Sequence, residues 1–162
     1  MFARLATEED AAAVAELVRM DVEETVRGHK FVPKVFARTW RRYLRNGNPV
    51  FHVVDDRQEV VAVSGYAVNR YLFTTGFFLE QIVIYVRPDR RGTRAAVLLT
   101  KNLIAECDRL GALEITGGND NSFQSERTAR FLSHFGFERV GVFMKRSGAA
   151  MRHGQEERRR RG

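Results

Sequence analysis

The stretch that most limits what this chain can become is residues 80–107, EQIVIYVRPDRRGTRAAVLLTKNLIAEC. Its first part is an apolar strand-like run (Ile82, Val83, Ile84, Tyr85, Val86) that follows Phe77, Phe78 and Leu79 with only Glu80 and Gln81 between. A strand patterned this way needs cover on both faces, so residues 77–86 belong in the middle of a sheet with helices on either side. A basic turn follows, Arg87-Pro88-Asp89-Arg90-Arg91-Gly92. Residues 93–110 then carry Ala95, Leu98, Leu99, Leu103, Cys107 and Leu110 on one helical stripe, with Gly111 placed as the C-cap glycine. Residues 113–116 read as the next strand, so 77–116 is a β-α-β unit with parallel strands. Strand, glycine-containing turn and helix N-terminus aim free N–H groups and the positive end of a helix dipole at one place, which suits a phosphate. Arg90, Arg91 and Arg94 add full charges around it.

The rest of the chain supplies partners for that unit. Residues 2–5 read as a short strand. Thr7 has N-cap chemistry with Asp10 three residues on, and Ala11, Val14, Leu17 and Val18 form the inner face of a helix that runs to about Asp21 or somewhat beyond. Residues 23–30 read as a frayed end and a loop. Pro33 suits the first turn of a second helix whose buried face is Phe36, Trp40, Tyr43 and Leu44, with Arg38, Arg41, Arg42 and Arg45 elsewhere around the cylinder. Asn46-Gly47-Asn48-Pro49 stops it. Residues 50–54 and 59–68 make a hairpin around Asp55-Asp56-Arg57-Gln58, and 69–76 is either strand or aromatic loop. After the polar loop 117–122, a helix begins near Ser125 and ends at Gly136, and 137–146 is expected to be a final strand, kinked at Gly141.

At 162 residues the chain is expected to hold one domain, residues 1–146, followed by a basic tail, 147–162. The tail carries Arg152 and Arg158 to Arg161 against Glu156 and Glu157, has no apolar periodicity, and is expected to be disordered. It contributes +3 to a net charge of +7. No apolar run reaches the roughly 20 residues needed to span a bilayer, so no membrane partner is expected. The lone Cys107 excludes an intramolecular disulfide and fits a reducing cytosol, which places the protein in the cytoplasm. On the same helical stripe as Leu103 and Leu110, it reads as core packing. No His/Cys/Asp/Glu spacing suggests a metal site.

The order β-α-α-β-β-β-α-β-α-β, with the phosphate-type turn at its centre, resembles the GNAT superfamily of acetyl-CoA-dependent N-acetyltransferases over residues 1–146. The family's pyrophosphate loop, R/Q-x-x-G-x-G/A behind a V-x-P element, matches Val86-Arg87-Pro88 and Arg91 through Ala96, with Arg94 in place of the middle glycine. Phe135-Gly136-Phe137-Glu138 matches the family's closing L-G-F-E. The RGxRAA form is similar to one in a phage- and bacteria-borne subset of the superfamily. The resemblance implies an α/β fold (a three-layer α+β sandwich) with a central mixed sheet and flanking helices. It implies acetyl-CoA as cofactor, held by Tyr85, Val86 and Arg87 along the pantetheine arm and by Arg91, Gly92, Thr93, Arg94, Ala95 and Ala96 around the pyrophosphate.

Acetyl transfer to an amine also needs a neutral nucleophile, oxyanion stabilisation and a proton for the thiolate. Many members carry a tyrosine acid four residues before the glycine of L-G-F; here that position is Leu132. Glu80 stands where some members have a catalytic glutamate, and a half-buried carboxylate in this apolar run would have a raised pKa. Ser125 and His134 are polar alternatives near the last helix, Ser125 also being a natural N-cap and His134 a natural surface residue. The implied acceptor is a primary amine of unknown identity, recognised by the first two helices, their loop (26–32) and residues 71–75. Those surfaces look poor in acid, which disfavours polyamines and aminoglycosides. An inactive GNAT-like module that binds acyl-CoA or a host protein is the alternative. Nucleic acid is disfavoured as a partner because the arginines do not alternate with aromatics and no reader motif appears; a homodimer stays open.

Overall fold

The computed structural model describes residues 1–118, 123–142, 144–146 and 148. Strands β1 (Phe2–Leu5), β2 (Val50–Asp56), β3 (Glu59–Arg70), β4 (Phe77–Val86) and β5 (Ile115–Thr116) form one sheet in the order 1-2-3-4-5. The first four are antiparallel neighbours and β5 runs parallel to β4. Helices α1 (Ala11–Thr25) and α2 (Pro33–Asn46) cover one face, α3 (Ala95–Leu110) the other, and α4 (Ser125–Ser133) follows β5. This is the mixed α/β sheet expected.

Two cores explain the layers. On one face Val14 and Leu17 of α1 and Trp40 and Tyr43 of α2 enclose Phe51, Val53, Val63 and Tyr85. Aromatic rings join them, with Trp40 5.5 Å from Phe51 and edge-on to Tyr43 at 5.2 Å. On the other face Ala95 and Leu99 of α3 pack on Val54, Val61 and Ala62, and Leu103 and Cys107 pack on Tyr66 and Leu79. Cys107 is therefore core, and burial pushes its thiol pKa up. His52 is buried too, stacked 6.0 Å from Tyr66, and burial lowers its pKa. Leu44, expected inside, is half exposed at the rim of α2.

Local chemistry sets the boundaries. Asp10 accepts from Thr7 N–H (2.7 Å) and from both Arg4 amines, fixing a 3-10 turn at Glu8–Asp10 before α1. α1 continues through Thr25, taking in Glu23 and Glu24: Arg19 pairs with Glu16 and Glu23 across single turns, and Thr25 donates to Asp21 carbonyl at 2.8 Å. The hairpin between β2 and β3 turns through Arg57 and Gln58, both at positive φ, with Gln58 N–H bonded to Asp55 Oδ1. Gly65 is held against Phe51, whose ring would lie 2.9 Å from a Cβ there. Register between β3 and β4 shifts at Gly65/Tyr66, where Gly65 faces Val83, Tyr66 faces Gln81, and Ile82 is the extra residue of a bulge.

Three expectations fail at the C-terminal end. β5 is two residues long instead of four. Among the described residues of 137–146 there is no strand; Val140, Val142 and Met144 are 97%, 91% and 88% exposed. Their alternation is strand-like, but so short a β5 presents hardly any edge to pair with. Gln124, at φ 50°, precedes the first residue of α4 and its carbonyl receives Thr128 N–H, so Gln124 and not Ser125 is the N-cap. Residues 119–122 of the polar loop and nearly all of the tail 147–162 lie outside the described residues. Among the described residues no helix is long and apolar enough to cross a membrane.

Candidate active site

β4 leads directly into the basic turn. Arg90 N–H bonds Arg87 carbonyl in a 3-10 turn at Pro88–Arg90, Gly92 takes φ 80°, and α3 starts at Ala95. Positive φ makes glycine the natural residue at 92. Arg94, at φ −75°, occupies a conformation open to any residue, so the family's middle glycine is not required for this backbone path. The first bond spanning a full helical turn is Leu98 N–H to Arg94 carbonyl at 2.9 Å. The N–H groups of Ala96 and Val97 thus lie in the first turn, where no carbonyl four residues back lies within the helix. Thr93 Oγ1 donates to Arg90 carbonyl (2.7 Å) and accepts from Ala95 N–H (3.3 Å), bracing the turn.

The arginine side chains, by contrast, are engaged elsewhere. Arg87 pairs with Glu59 and Asp89, Arg90 with Asp89, and Arg94 donates to Met1 carbonyl. Arg91 reaches across to α1, giving two bonds to Glu24 at 2.7 and 2.5 Å and one from Nε to Val86 carbonyl. Tyr85 hydroxyl donates to the same Glu24 carboxylate at 2.8 Å, and the Arg91 guanidinium lies 5.3 Å from the Tyr85 ring centroid. Arg91 holds the Glu24 carboxyl below the usual carboxylate range. One turn back, burial raises Asp21 to about 6, and Glu24 adds to the rise. The groups this turn leaves for an anion are therefore backbone N–H groups, with the arginines anchoring the loop.

Beside the turn, one edge of β4 is open among the described residues. β5 pairs with it at Leu79↔Ile115 and Glu80↔Thr116, and β4 runs six residues further. The Gln81 Oε1 atom sits there buried and without a hydrogen-bond partner, 2.7 Å from where a Cβ on Gly117 would lie. Such a buried orphan acceptor calls for a partner that the described residues do not supply.

Of the expected catalytic residues, Glu80 is on β4 but exposed rather than half-buried, with Oε2 accepting from Asn69 at 2.6 Å. Leu79 faces α3, so alternation turns Glu80 to the other face, and α1 and α2 cover that face only near Val53, Val63 and Tyr85. Ser125 opens α4 and exposed His134 follows its end. Nine residues along a helix separate them by about 13 Å, so they do not act on one proton together. Leu132, in the place of the family's tyrosine, is buried. Sequence reasoning missed Asp21, Glu24, Gln81 and Gly117; the two carboxylates one turn apart were the available signal. An open groove of about 410 Å³ between α1 and the β2–β3 turn, lined by Glu9, Glu16, Met20, Glu59 and Arg87, touches the expected site only at Arg87.

No protein-family model matches the sequence, and no curated protein matches it as a relative. Solved structures do. A transcriptional regulator from Bacillus halodurans superposes with a TM-score of 0.75 at 20% identity, over 90% of this chain and 98% of that one. A predicted acetyltransferase from Clostridium acetobutylicum, solved with acetyl-CoA, gives 0.73 at 17% identity over 90% and 94%. A GNAT family acetyltransferase from Staphylococcus aureus gives 0.62 at 11% over 90% and 98%. The chain has the fold of the GNAT acetyltransferases.

Proposed function

We propose that this protein is an acetyl-CoA-dependent N-acetyltransferase that acetylates a primary amine. The observation that carries the reading is the continuity of an open β4 edge with a helix N-terminus that no acidic side chain occupies, inside a GNAT fold. The residues fit the cofactor. In the loop Arg91, Gly92, Thr93, Arg94, Ala95 and Ala96 the N–H groups of Arg91, Thr93 and Ala95 are bonded within the turn, so those of Gly92, Arg94 and Ala96 suit its pyrophosphate, while β4 at Tyr85, Val86 and Arg87 suits its pantetheine arm. Acetyl-CoA, when bound, supplies the activated acetyl thioester.

The chain supplies the rest. Glu80 Oε2 is held by Asn69, which leaves Oε1 to take the acceptor's ammonium proton, directly or through one water. The N–H groups along the open edge of β4 are the donors we assign to the developing oxyanion, and fixed donors of this kind supply about 2.7–4 kcal/mol each in other acyl-transfer sites. Asp21 and Glu24 put acid beside the loop 26–32, so the acceptor region is less basic than its sequence suggests. With Leu132 buried, Ser125 at the start of α4 and His134 just past its end are our candidates for returning a proton to the thiolate. The RGxRAA loop supports placing the chain in the phage and bacterial subset, and a lone buried Cys107 suits the cytoplasm.

Calorimetric titration with acetyl-CoA, then a screen of amines for thiol release, tests this. Absence of binding at tens of micromolar refutes the cofactor assignment. Binding without turnover on a broad panel favours the second reading, an inactive acyl-CoA-binding module, which the missing tyrosine at Leu132 supports.

A further inference from the structure

Between Glu24 and Asp55 the chain has no acidic residue. Within that span α2 carries Lys34, Arg38, Arg41, Arg42 and Arg45, all exposed. At about 100° per residue these five fall in an arc of about 100°, opposite the core residues Phe36, Trp40 and Tyr43. Lys34–Arg38, Arg38–Arg42 and Arg41–Arg45 are i,i+4 pairs of like charge, each mildly destabilising to the helix. None of the five is in an ion pair with a described residue, whereas Arg4, Arg19, Arg87, Arg91 and Arg109 all are. The fold places acids against those arginines and leaves the cationic stripe of α2 bare.

We propose that the exposed face of α2 docks on the phosphate backbone of a nucleic-acid duplex, without reading its sequence. The five cations lie along about 16 Å of straight helix, facing a polyanion that carries a charge every 1.7 Å or so of duplex axis. The stripe contains no aromatic or large apolar side chain of the kind that anchors a protein interface. It cannot insert in a lipid surface either, because the apolar face of α2 is spent on the core. What it offers is charge in a row. This inference is independent of the acetyltransferase reading, and it reverses the weight the sequence alone gives to nucleic acid.

Fluorescence anisotropy with a labelled DNA duplex of about 24 base pairs, across a salt series, tests it on the full chain. Wild type should bind with log K falling against log salt at a slope of about −4. R38Q/R41Q/R42Q/R45Q should flatten that slope by about 3 and weaken low-salt binding by at least about 30-fold, with an unchanged far-ultraviolet spectrum and a melting temperature no lower than that of wild type. The corresponding Arg→Lys variant should keep most of the affinity, since point charges suffice. R158Q/R159Q/R160Q/R161Q controls for the basic tail. The proposal is overturned if wild type shows no salt-dependent binding, if the α2 Gln variant binds as wild type does, or if the Lys variant fails as the Gln variant does. Loss of all binding in the tail variant alone, or binding to phosphatidylserine vesicles or polyglutamate with none to the duplex, overturns it equally.

Discussion

Glu24→Gln is the substitution whose outcome most sharply tests how the cofactor loop is held. The Glu24 carboxylate accepts two bonds from Arg91 and one from Tyr85 hydroxyl, tying the turn after β4 to the end of α1. Side-chain exposures of 26% for Glu24 and 35% for Arg91 put the pair between a surface ion pair and a buried one. The first class is worth about 0–1 kcal/mol and breaking the second costs about 3–5 kcal/mol. Glutamine keeps one acceptor oxygen and the shape, so the expected loss is about 1–2 kcal/mol, or roughly 2–8 °C in melting temperature for a chain of this length. Acetyl-CoA affinity should fall by up to about tenfold as the loop loses its anchor. Because Arg91 lowers the Glu24 pKa, the carboxylate's contribution is fully present above the ordinary value of 4.5 and is lost as pH falls through the lower folded value. The gap between wild type and variant should therefore be constant at neutral pH and close in acid. Urea denaturation of wild type, E24Q, R91Q and the double variant measures the coupling. Strict additivity of the two single losses refutes the clamp.

The remaining expectations concern the strand and the acid beside it. Glu80→Gln should lower kcat by about 10²–10⁴-fold while leaving acetyl-CoA affinity unchanged; thiol-release kinetics beside calorimetry check this, and an unaltered kcat removes Glu80 as base. Gly65→Ala forces a methyl to 2.9 Å from the Phe51 ring and should cost about 1–3 kcal/mol by thermal melting. Asp21 binds its proton more tightly folded than unfolded, so its contribution makes stability decline as pH rises from 3.8 to about 6. Asp21→Asn should thus stabilise the protein at pH 7 and lose that advantage at pH 3, as paired melting curves would show.

Local pattern carried the sequence reading a long way. The apolar run of β4, the inner stripe of α3 and the stop at Asn46-Gly47 each act within one element, and each is found where expected. The pairing of Arg91 with Glu24 joins positions 67 residues apart and leaves no trace in either neighbourhood. Glu80 looked half-buried because its neighbours are apolar, yet burial depends on whether a helix reaches that part of the sheet, and α1 and α2 do not. Val140, Val142 and Met144 have strand periodicity, but a strand also needs an edge to pair with.

The extra residue at Ile82 has a consequence for the whole of β4. Leu79 packs beneath α3 while Tyr85, six positions on and of the same parity, packs beneath α1 and α2. In an unbroken strand two residues of like parity share a face. Ile82 is a phase reversal: it lets one strand serve the α3 layer with odd positions before it and with even ones, Ile84 and Val86, after it. Deleting that single residue would leave Tyr85 opposite Val63 and on its present face; pairing Ile82 as an ordinary strand residue would instead turn half of the strand inside out, carrying Tyr85, and with it the Glu24–Arg91 clamp, to the wrong side of the sheet.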